Sequence, residues 1–339
     1  MNGEADTEAL LAVSDLVVKY RSPRSLFHLA AADIHAVNGV SLDIAAGQTL
    51  GLVGESGSGK SSTGNTILGI VRAESGSVRF DGVELTTLEG KYPKAIRRDI
   101  QAVFQDPASS LNPSMVIADI LGEPLDIHER LGKAARLAAC EELLELVGLS
   151  REHLERKPHE FSGGQRQRIA IARALALRPR LLILDEPVSA LDVSTQSQVI
   201  NLLEELQERL GLTYLLIAHD LAVVHHASDR IAVMYLGSIV EEGPAEELYA
   251  EPAHPYTQAL LAAVPVANPV RQRERRSGGR MSTGEIPSPL NLPSGCPYRT
   301  RCPHAHDACV NDHPPMIDLG NDRQVACVLY TGDSKEIIG

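Results

Sequence analysis

The sequence GESGSGKS, from Gly54 to Ser61, constrains the fold more than any other part of the chain. It fits the pattern G-x-x-x-x-G-K-[ST], follows the apolar run TLGLV and precedes the helical run SSTGNTILGI. In such a strand–loop–helix the glycine-rich backbone can curl its N–H groups around a phosphate, and the helix N-terminus adds its positive dipole end. The pattern therefore predicts a phosphate-binding loop, the alternative being a glycine-rich turn with a chance lysine.

The loop and an acidic pair further along the chain predict complementary roles in phosphate chemistry. Lys60 is expected to pair with the β- and γ-phosphates of a nucleotide, and the Ser61 hydroxyl to bind Mg²⁺. The buried run LLILDEP delivers Asp185, expected to hold Mg²⁺, and Glu186, expected to polarise the attacking water. A helix cap is the alternative for the acidic pair. The predicted nucleotide ligands in the loop are Gly54, Ser56, Gly57, Ser58, Gly59, Lys60, Ser61 and Ser62.

A second anion site is predicted in FSGGQRQR, where Ser162 precedes Gly163, Gly164 and a long helical run. The serine hydroxyl and the following backbone N–H groups would surround a phosphate. One bound nucleotide needs only one such cradle, so two cradles in one chain imply that one of them serves a neighbour's nucleotide.

Short apolar runs alternate with helical patterns from about residue 10 to residue 245. The predicted strands are QTLGLVG, IQAVFQ, RLLILDEP, TYLLIAHD and RIAVMYLG, and the predicted helices are SSTGNTILGIV, RLAACEELLELVGL, GGQRQRIAIARALAL and TQSQVINLLEELQERLG. Such alternation predicts a mostly parallel α/β sheet flanked by helices. Residues 108–178 are predicted to form an inserted helical subdomain without strands. We therefore expect a nucleotide-binding domain over residues 1–255 and a small, irregular, cysteine-containing domain over residues 256–339. The polar, locally basic sequence VRQRERRSGGRMSTGE predicts an exposed linker in the second domain.

Composition and charge argue against several classes of function. The net charge of −12 argues against broad nucleic-acid binding, which requires a basic surface. No run of apolar residues is long enough to span a membrane, and the N-terminal sequence is acidic where a secretory signal is basic. We therefore expect a cytoplasmic location, where structural disulfides are disfavoured.

The ordered motifs GESGSGKS, VFQDP, FSGGQRQR, LLILDEP, SALD and IAHD resemble the ATP-binding-cassette family, over residues 10–250. The resemblance implies a head-to-tail dimer in which Ser162, Gly163, Gly164 and Gln165 close over the partner chain's ATP. It implies that Gln105 senses Mg²⁺ and that His219 contacts the γ-phosphate. Asp192 is expected at the dimer interface and Tyr20 on the adenine ring, with an ordinary strand tyrosine as the alternative for Tyr20.

The flanking sequences VFQDPASSLNPSMVI, EPAHPYTQALLAAVP and GCPYRTRCPHA resemble ATPase subunits of dipeptide and oligopeptide importers, and related nickel importers share part of this pattern. The resemblance implies a paralogous ATPase partner, two membrane-spanning permease subunits and an extracytoplasmic peptide-binding protein. It places the chain on the cytoplasmic face of the cell membrane. The alternative is a soluble cassette ATPase that acts as a switch on nucleic acid or protein.

Four of the five cysteines lie in the tail, separated by five, six and seventeen residues: Cys296, Cys302, Cys309 and Cys327. Their spacing fits neither the close pairs typical of zinc sites nor the ferredoxin pattern, so zinc and iron–sulfur both remain open. A mixed zinc site could also use His304, His306 or His313. The resemblance to importer ATPases implies a [4Fe–4S] cluster on the four cysteines, with Zn²⁺ as the alternative. Cys140, in a helical run, is expected to be an inert core thiol.

Overall fold

The computed structural model describes residues 9–21, 33–106, 110–263 and 285–331. The chain divides into two compact units, each built from several segments. The first unit comprises Met1–Leu10, Ile44–Thr49 and Leu88–Ile217, and the second comprises Leu11–Asp43, Leu50–Thr87 and Ala218–Gly339. The second unit therefore includes both the Gly54–Ser61 loop and the tail. The domain boundary near residue 255 stays a prediction, and the predicted linker lies outside the described residues except for its last residue.

Three parallel strands lie in the first unit: β6 (Ile100–Val103), β7 (Leu181–Asp185) and β8 (Thr213–Ala218). β7 pairs with β6 on one side and with β8 on the other. Every residue of β8 and all of β7 except its last are buried. Parallel strands covered on both faces have such continuous apolar runs, and all three strands lie where the sequence predicts them.

The helices of the first unit are α2 (Lys94–Asp99), α3 (Ile117–His128), α4 (Lys133–Leu146), α5 (Gly163–Leu175) and α6 (Val193–Leu210). Described residues from 110 to 178 contain helices and short 3₁₀ turns but no strand, in agreement with the expected helical segment. α6 buries one apolar face, including Val199, Leu203 and Leu206, and ends where Gly211 adopts a left-handed conformation with φ of 64°.

The second unit contains a sheet of β1 (Leu11–Arg21), β2 (Asp33–Ile44), β4 (Ser75–Phe80) and β5 (Val83–Glu84), in the order β2-β1-β4-β5. β1 and β5 both run antiparallel to β4. Burial along β1 is interrupted by exposed and half-buried residues, unlike the continuous burial of β8. Those antiparallel strands are not among the predicted ones.

A further set of strands in the second unit includes two strands from the tail. β3 (Thr49–Val53) is parallel to β9 (Arg230–Tyr235), and β10 (Ser238–Pro244) returns antiparallel to β9. From the tail, β12 (Arg323–Val325) pairs with β10, and β11 (Ile317–Gly320) pairs with β12. The tail was expected to be irregular, but these two strands extend the sheet.

Short helices complete the second unit: α1 (Lys60–Ile67), α7 (Leu221–Ala227), α8 (Ala245–Ala250), α9 (Pro255–Ala263) and α10 (Ala308–Asn311). A small apolar cluster consists of Ala253, Val325, Cys327 and Leu329, and Ile317 and Leu319 of β11 pack against it. Across the part of the chain that the structure describes, no helix combines the length and apolarity needed to cross a membrane.

Candidate nucleotide-binding site

The Gly54–Ser61 loop connects β3 to α1, as the motif requires. Gly59 has φ of 107°, and a Cβ atom placed there would lie 2.2 Å from the carbonyl oxygen of Ala36. A Cβ atom at Gly54 would lie 2.1 Å from the carbonyl oxygen of Met234. The loop backbone therefore passes so close to neighbouring strands that glycine is needed at both positions.

Lys60 begins α1 and points back into the loop. Only 4% of the residue is exposed, and its ammonium group donates hydrogen bonds to the carbonyl oxygens of Gly54 at 2.7 Å and Glu55 at 2.9 Å. The ammonium group also donates to the Ser58 hydroxyl oxygen at 3.3 Å. These contacts close the loop around one cation at a helix N-terminus, where an anion is stabilised by both the charge and the backbone N–H groups.

Tyr20 lies beside this helix start. Its hydroxyl donates to the Ser62 hydroxyl oxygen at 3.2 Å, and 36% of the residue is exposed. His219 follows β8 and is exposed, and the next residue, Asp220, caps α7 by accepting from the Ala222 N–H at 2.9 Å. Tyr20 and His219 thus each expose a ring in the unit that contains the loop, and their contacts with adenine and γ-phosphate stay predictions.

Gln105 and Glu186 lie together in the first unit. The Gln105 side-chain amide donates to a Glu186 carboxylate oxygen at 2.8 Å. Glu186 follows Asp185 at the end of β7, has φ of 48°, and donates its N–H to the Ile217 carbonyl at 2.8 Å. A left-handed non-glycine backbone is uncommon and is concentrated at functional sites. The sequence analysis predicts that both residues act at the bound nucleotide, but their direct hydrogen bond is a finding of the structure.

Ser162 serves first as the cap of its own helix. Its hydroxyl accepts from the Gln165 N–H at 3.3 Å, while the Gln165 side chain accepts from the Ser162 N–H at 3.0 Å. This reciprocal capping box fixes the start of α5. Gly164 must lack a side chain, because a Cβ atom would lie 2.4 Å from the Thr195 methyl group. The glycine therefore permits the start of α5 to pack against the start of α6.

Asp192 caps α6. Its carboxylate accepts from the Thr195 N–H at 3.0 Å and from the hydroxyls of Ser194 and Thr195 at 2.8 Å. These hydrogen bonds, the Thr195 N–H first, lower the pKa of Asp192 to about 2. The carboxylate is therefore charged at neutral pH, which suits a helix N-terminus.

Comparison with known proteins identifies the family. The ABC transporter family model matches residues 37–189, and the model for the C-terminal region of oligopeptide/dipeptide transporters matches residues 240–309. The chain is 50% identical over 332 residues to the oligopeptide transport ATP-binding protein AppF of Bacillus subtilis, covering 96% of this chain and 99% of the relative. It is 48% identical over 324 residues to OppF of Haemophilus influenzae, covering 95% and 97%.

The chain belongs to the ATP-binding-cassette ATPases of the oligopeptide/dipeptide transporter family. Two solved structures agree with this cassette fold. One is a dimeric ATP-binding cassette, MJ0796, bound to ADP and Pi, with a TM-score of 0.62, 30% identity and coverage of 69% of this chain and 98% of that one. The other is cbiO1 from Clostridium perfringens, with a TM-score of 0.61, 30% identity and coverage of 72% and 91%. The predicted family, α/β fold and ATPase class are thereby confirmed.

The tail cysteines of this ATPase lie near one another. The Cys296 N–H donates to the Cys309 carbonyl at 2.9 Å. Burial raises the pKa of Cys327 to about 12, and Cys296, Cys302 and Cys309 all add to that rise through electrostatic repulsion. Burial likewise raises the pKa of Cys296 to about 11. Thiols in this environment are poor thiolates unless a cation compensates the charge.

The predicted metal centre is nevertheless not supported by this arrangement. Among the residues that the structure describes, no group of three or more His, Cys, Asp or Glu side chains could hold a metal ion. His306 Nδ1 lies 3.6 Å from Cys309 Sγ, whereas His304 is exposed and His313 contacts the carbonyl of Pro314. Cys140 is fully buried, with its Sγ 3.6 Å from the Ala118 carbonyl, as expected of a core thiol.

Sequence reasoning missed Glu55, a residue of the phosphate-binding loop, and two residues that contact it, Tyr256 and Arg301. Glu55 occupies a variable position of the motif, and its N–H donates to the Tyr256 hydroxyl at 2.8 Å. Arg301 forms an ion pair with the Glu55 carboxylate at 2.7 Å. The only available signal was that Tyr256 and Arg301 lie within EPAHPYTQ and GCPYRTRCP, which carried the family resemblance but no assigned role.

Gly59→Ala should reduce nucleotide affinity roughly tenfold or more, because a left-handed alanine is strained and its Cβ would clash with a backbone carbonyl, so the loop must shift. Gly82→Ala is the matched control. Gly82 has φ of 74° but no atom within 4 Å of a built Cβ, so that variant bears backbone strain alone. Equilibrium binding of a fluorescent nucleotide measures the affinity of both variants. Parental affinity in Gly59→Ala would contradict the close approach of Gly59 to the Ala36 carbonyl oxygen.

Proposed function

We propose that this chain is the ATP-hydrolysing subunit that powers import of dipeptides and oligopeptides through a membrane transporter. The observation that carries the proposal is 50% identity to an oligopeptide transport ATP-binding protein across 96% of the chain. Its proposed partners are a second cassette ATPase, two transmembrane permease subunits and an extracytoplasmic peptide-binding protein. The proposed location is the cytoplasmic face of the cell membrane, without nucleic acid as a partner.

The proposed roles in hydrolysis follow from the chemistry of each group. Lys60 and the loop N–H groups bind the β- and γ-phosphates of ATP, and His219 donates to the γ-phosphate. Glu186 orients and polarises the attacking water. Because Gln105 donates its amide N–H to Glu186, it holds that carboxylate in one orientation and keeps its own carbonyl oxygen for a cation.

Mg²⁺ is the proposed metal of the reaction, and its bound form would neutralise charge on the phosphates. The proposed ligands are the Ser61 hydroxyl, the Gln105 amide oxygen and the Asp185 carboxylate. All three offer oxygen donors, which is the ligand type that Mg²⁺ requires. Tyr20 is proposed to stack on the adenine ring, which its exposed position beside Ser62 allows.

The proposed dimer is head to tail, with Ser162 to Gln165 closing over the partner chain's nucleotide. Capping leaves Ser162, Gly163 and the start of α5 at the surface, where the helix N-terminus and its backbone N–H groups can face an anion. Leu191 lies beside Gly163, and Thr195 at the start of α6 lies beside Gly164. Asp192, which caps α6 between them, is proposed to line that interface.

We also propose that the tail carries a [4Fe–4S] cluster on Cys296, Cys302, Cys309 and Cys327, with Zn²⁺ as the alternative. Four thiols are the donor set of a cubane cluster, and bound iron would offset the burial that disfavours their thiolate forms. Against the proposal stands the lack, among described residues, of a side-chain group that could hold a metal ion. The cluster is assigned no step in ATP hydrolysis.

Peptide import is tested by purifying the chain with its bound partners and reconstituting the complex in vesicles. We expect two integral membrane subunits to co-purify and labelled peptides to enter the vesicles only with ATP. Uptake of Ni²⁺ in place of peptides would instead support the related nickel importers. Nucleic-acid-stimulated ATPase activity without membrane subunits would favour the soluble switch and contradict the proposal.

Glu186→Gln should abolish turnover and preserve ATP binding, because the carboxylate acts on the water while Lys60 still binds the phosphates. We expect kcat to fall roughly 10²–10⁴-fold in the assembled complex. Lys60→Ala should instead weaken binding of the nucleotide itself. Steady-state ATPase rates and equilibrium binding separate the two effects, and a parental rate for Glu186→Gln would show that the catalytic base is another residue.

Ser162→Arg should inactivate the nucleotide site of the opposite chain and spare its own, because a large cation would occupy the partner's phosphate position. The measurement is ATPase activity in mixed complexes in which Ser162→Arg and Glu186→Gln lie either on different chains or on the same chain. Inactivation confined to the mutated chain's own site would refute the head-to-tail dimer.

Protein purified without oxygen should be brown and contain about four irons and four sulfides per chain if the cluster is present. Cys302→Ser should lower the iron content, whereas Cys140→Ser, which changes a thiol outside the tail, should not. Colourless, folded protein with stoichiometric zinc would show that the site holds zinc and not an iron–sulfur cluster. Folded protein with neither metal would contradict both assignments.

A further inference from the structure

We propose that Arg301, in the cysteine-containing tail, is a positioning residue for the phosphate-binding loop and sets its affinity for nucleotide. The proposal rests on the proposed role of that loop in binding ATP. Arg301 lies outside the motifs GESGSGKS, FSGGQRQR, LLILDEP and IAHD that carry the predicted nucleotide ligands. All of the residues involved belong to the second unit.

The contact is an ion pair with two parallel hydrogen bonds. Arg301 Nη1 donates to Glu55 Oε2 at 2.7 Å and Nη2 donates to Glu55 Oε1 at 3.0 Å. The two side chains are 12% and 28% exposed, so water screens the pair far less than a surface ion pair. A bidentate arginine–carboxylate pair is among the stronger and more directional interactions in proteins.

Glu55 is also held through its backbone. Its N–H donates to the Tyr256 hydroxyl at 2.8 Å, and its carbonyl oxygen accepts from Lys60 Nζ at 2.9 Å and from the Ser58 N–H at 3.2 Å. One residue therefore receives contacts from Arg301, from Tyr256 and from the phosphate-binding lysine. A shift of Glu55 would move one of the carbonyl oxygens that orients the Lys60 ammonium.

Arg301 itself is held by aromatic rings. Its guanidinium carbon lies 5.9 Å from the ring centroids of both Tyr235 and Tyr298, within the range of cation–π attraction. Those two tyrosines and Tyr256 pack against one another with centroids 4.6–5.3 Å apart, and all three are buried. The packed tyrosine rings therefore hold the guanidinium in place beside the loop.

Tyr256 rests on a second buried polar group. Its N–H donates to His254 Nδ1 at 3.0 Å, which requires a ring nitrogen without a proton. Complete burial lowers the pKa of His254 to about 3, so the ring is neutral at physiological pH. The Glu241 carboxylate in turn accepts from the N–H groups of Ala253 at 2.7 Å and His254 at 2.8 Å. The segment that places the Tyr256 hydroxyl on the loop is thus anchored to β10.

A residue that only positions the loop should affect binding more than turnover. ATP and ADP both use the loop N–H groups and Lys60, so displacement of the loop weakens both complexes alike. The proposal accordingly predicts that loss of Arg301 raises KM for ATP and the Kd for ADP while kcat at saturating ATP changes little.

The experiment measures binding of the fluorescent nucleotide mant-ADP with Mg²⁺ to the full chain. Arg301→Gln and Glu55→Gln should each weaken binding about tenfold, the size expected for one charge-assisted hydrogen-bond pair. If Arg301 acts through Glu55, the double variant should bind no more weakly than either single variant. Parental affinity in both single variants, or fully additive losses in the double variant, would overturn the proposal.

Arg230→Gln is the matched control. Arg230 lies in the same unit, is 23% exposed and pairs with Asp43 at 3.0 Å and with Glu242, and all three residues lie outside the Gly54–Ser61 sequence. It should lower thermal stability and leave mant-ADP affinity within about twofold of the parental value. Equal loss of affinity in Arg230→Gln would show that the Arg301 effect is general destabilisation and would overturn the proposal.

Glu55→Gln keeps the experiment decisive if Arg301→Gln does not fold, because Glu55 is partly exposed and glutamine matches its shape. Tyr256→Phe offers an independent variant that removes the acceptor of the Glu55 N–H. The readout does not depend on peptide. Failure of the chain to power peptide uptake would disprove the proposed transport function. The binding of mant-ADP would still show whether Arg301 sets nucleotide affinity.

Discussion

The Lys60 ammonium is buried inside the loop that it helps to form, and its donors reach two loop carbonyls and a serine hydroxyl. A charge buried in this way is tolerated only with such partners. The loop must therefore curl, and the close approach of Gly59 to the Ala36 carbonyl follows. The strand, loop and helix around Lys60 together hold a cation at a helix N-terminus, where a phosphate is proposed to bind.

In the first unit, backbone geometry and helix capping hold the side chains that are proposed to act in hydrolysis and dimer formation. Glu186 has a left-handed backbone, is fixed by the Ile217 carbonyl and receives the Gln105 amide. Asp192 and Ser162 each use a side-chain oxygen to begin a helix. The same groups thereby stabilise the unit and remain at helix N-termini, where an anion is favoured.

The tail is joined to the rest of the second unit by backbone pairing and by a charge contact. β12 extends the sheet at β10, while Arg301 reaches the loop residue Glu55. Glu241 connects the two, because it lies in β10, pairs in register with Val325 and accepts from the segment that leads to Tyr256. The tail is thus held by paired strands, an apolar cluster and an ion pair.

The sequence by itself determined the loop, the buried parallel strands, the main helices and the family, because each depends on residues that are close along the chain. Antiparallel strands such as β1 escaped prediction because their burial is interrupted and their partners are distant. The Arg301–Glu55 pair, which joins residues 246 positions apart, could be decided only by the tertiary structure. The same holds for the four tail cysteines: their number and type are written in the sequence, whereas their burial and spacing follow from how the chain packs around them.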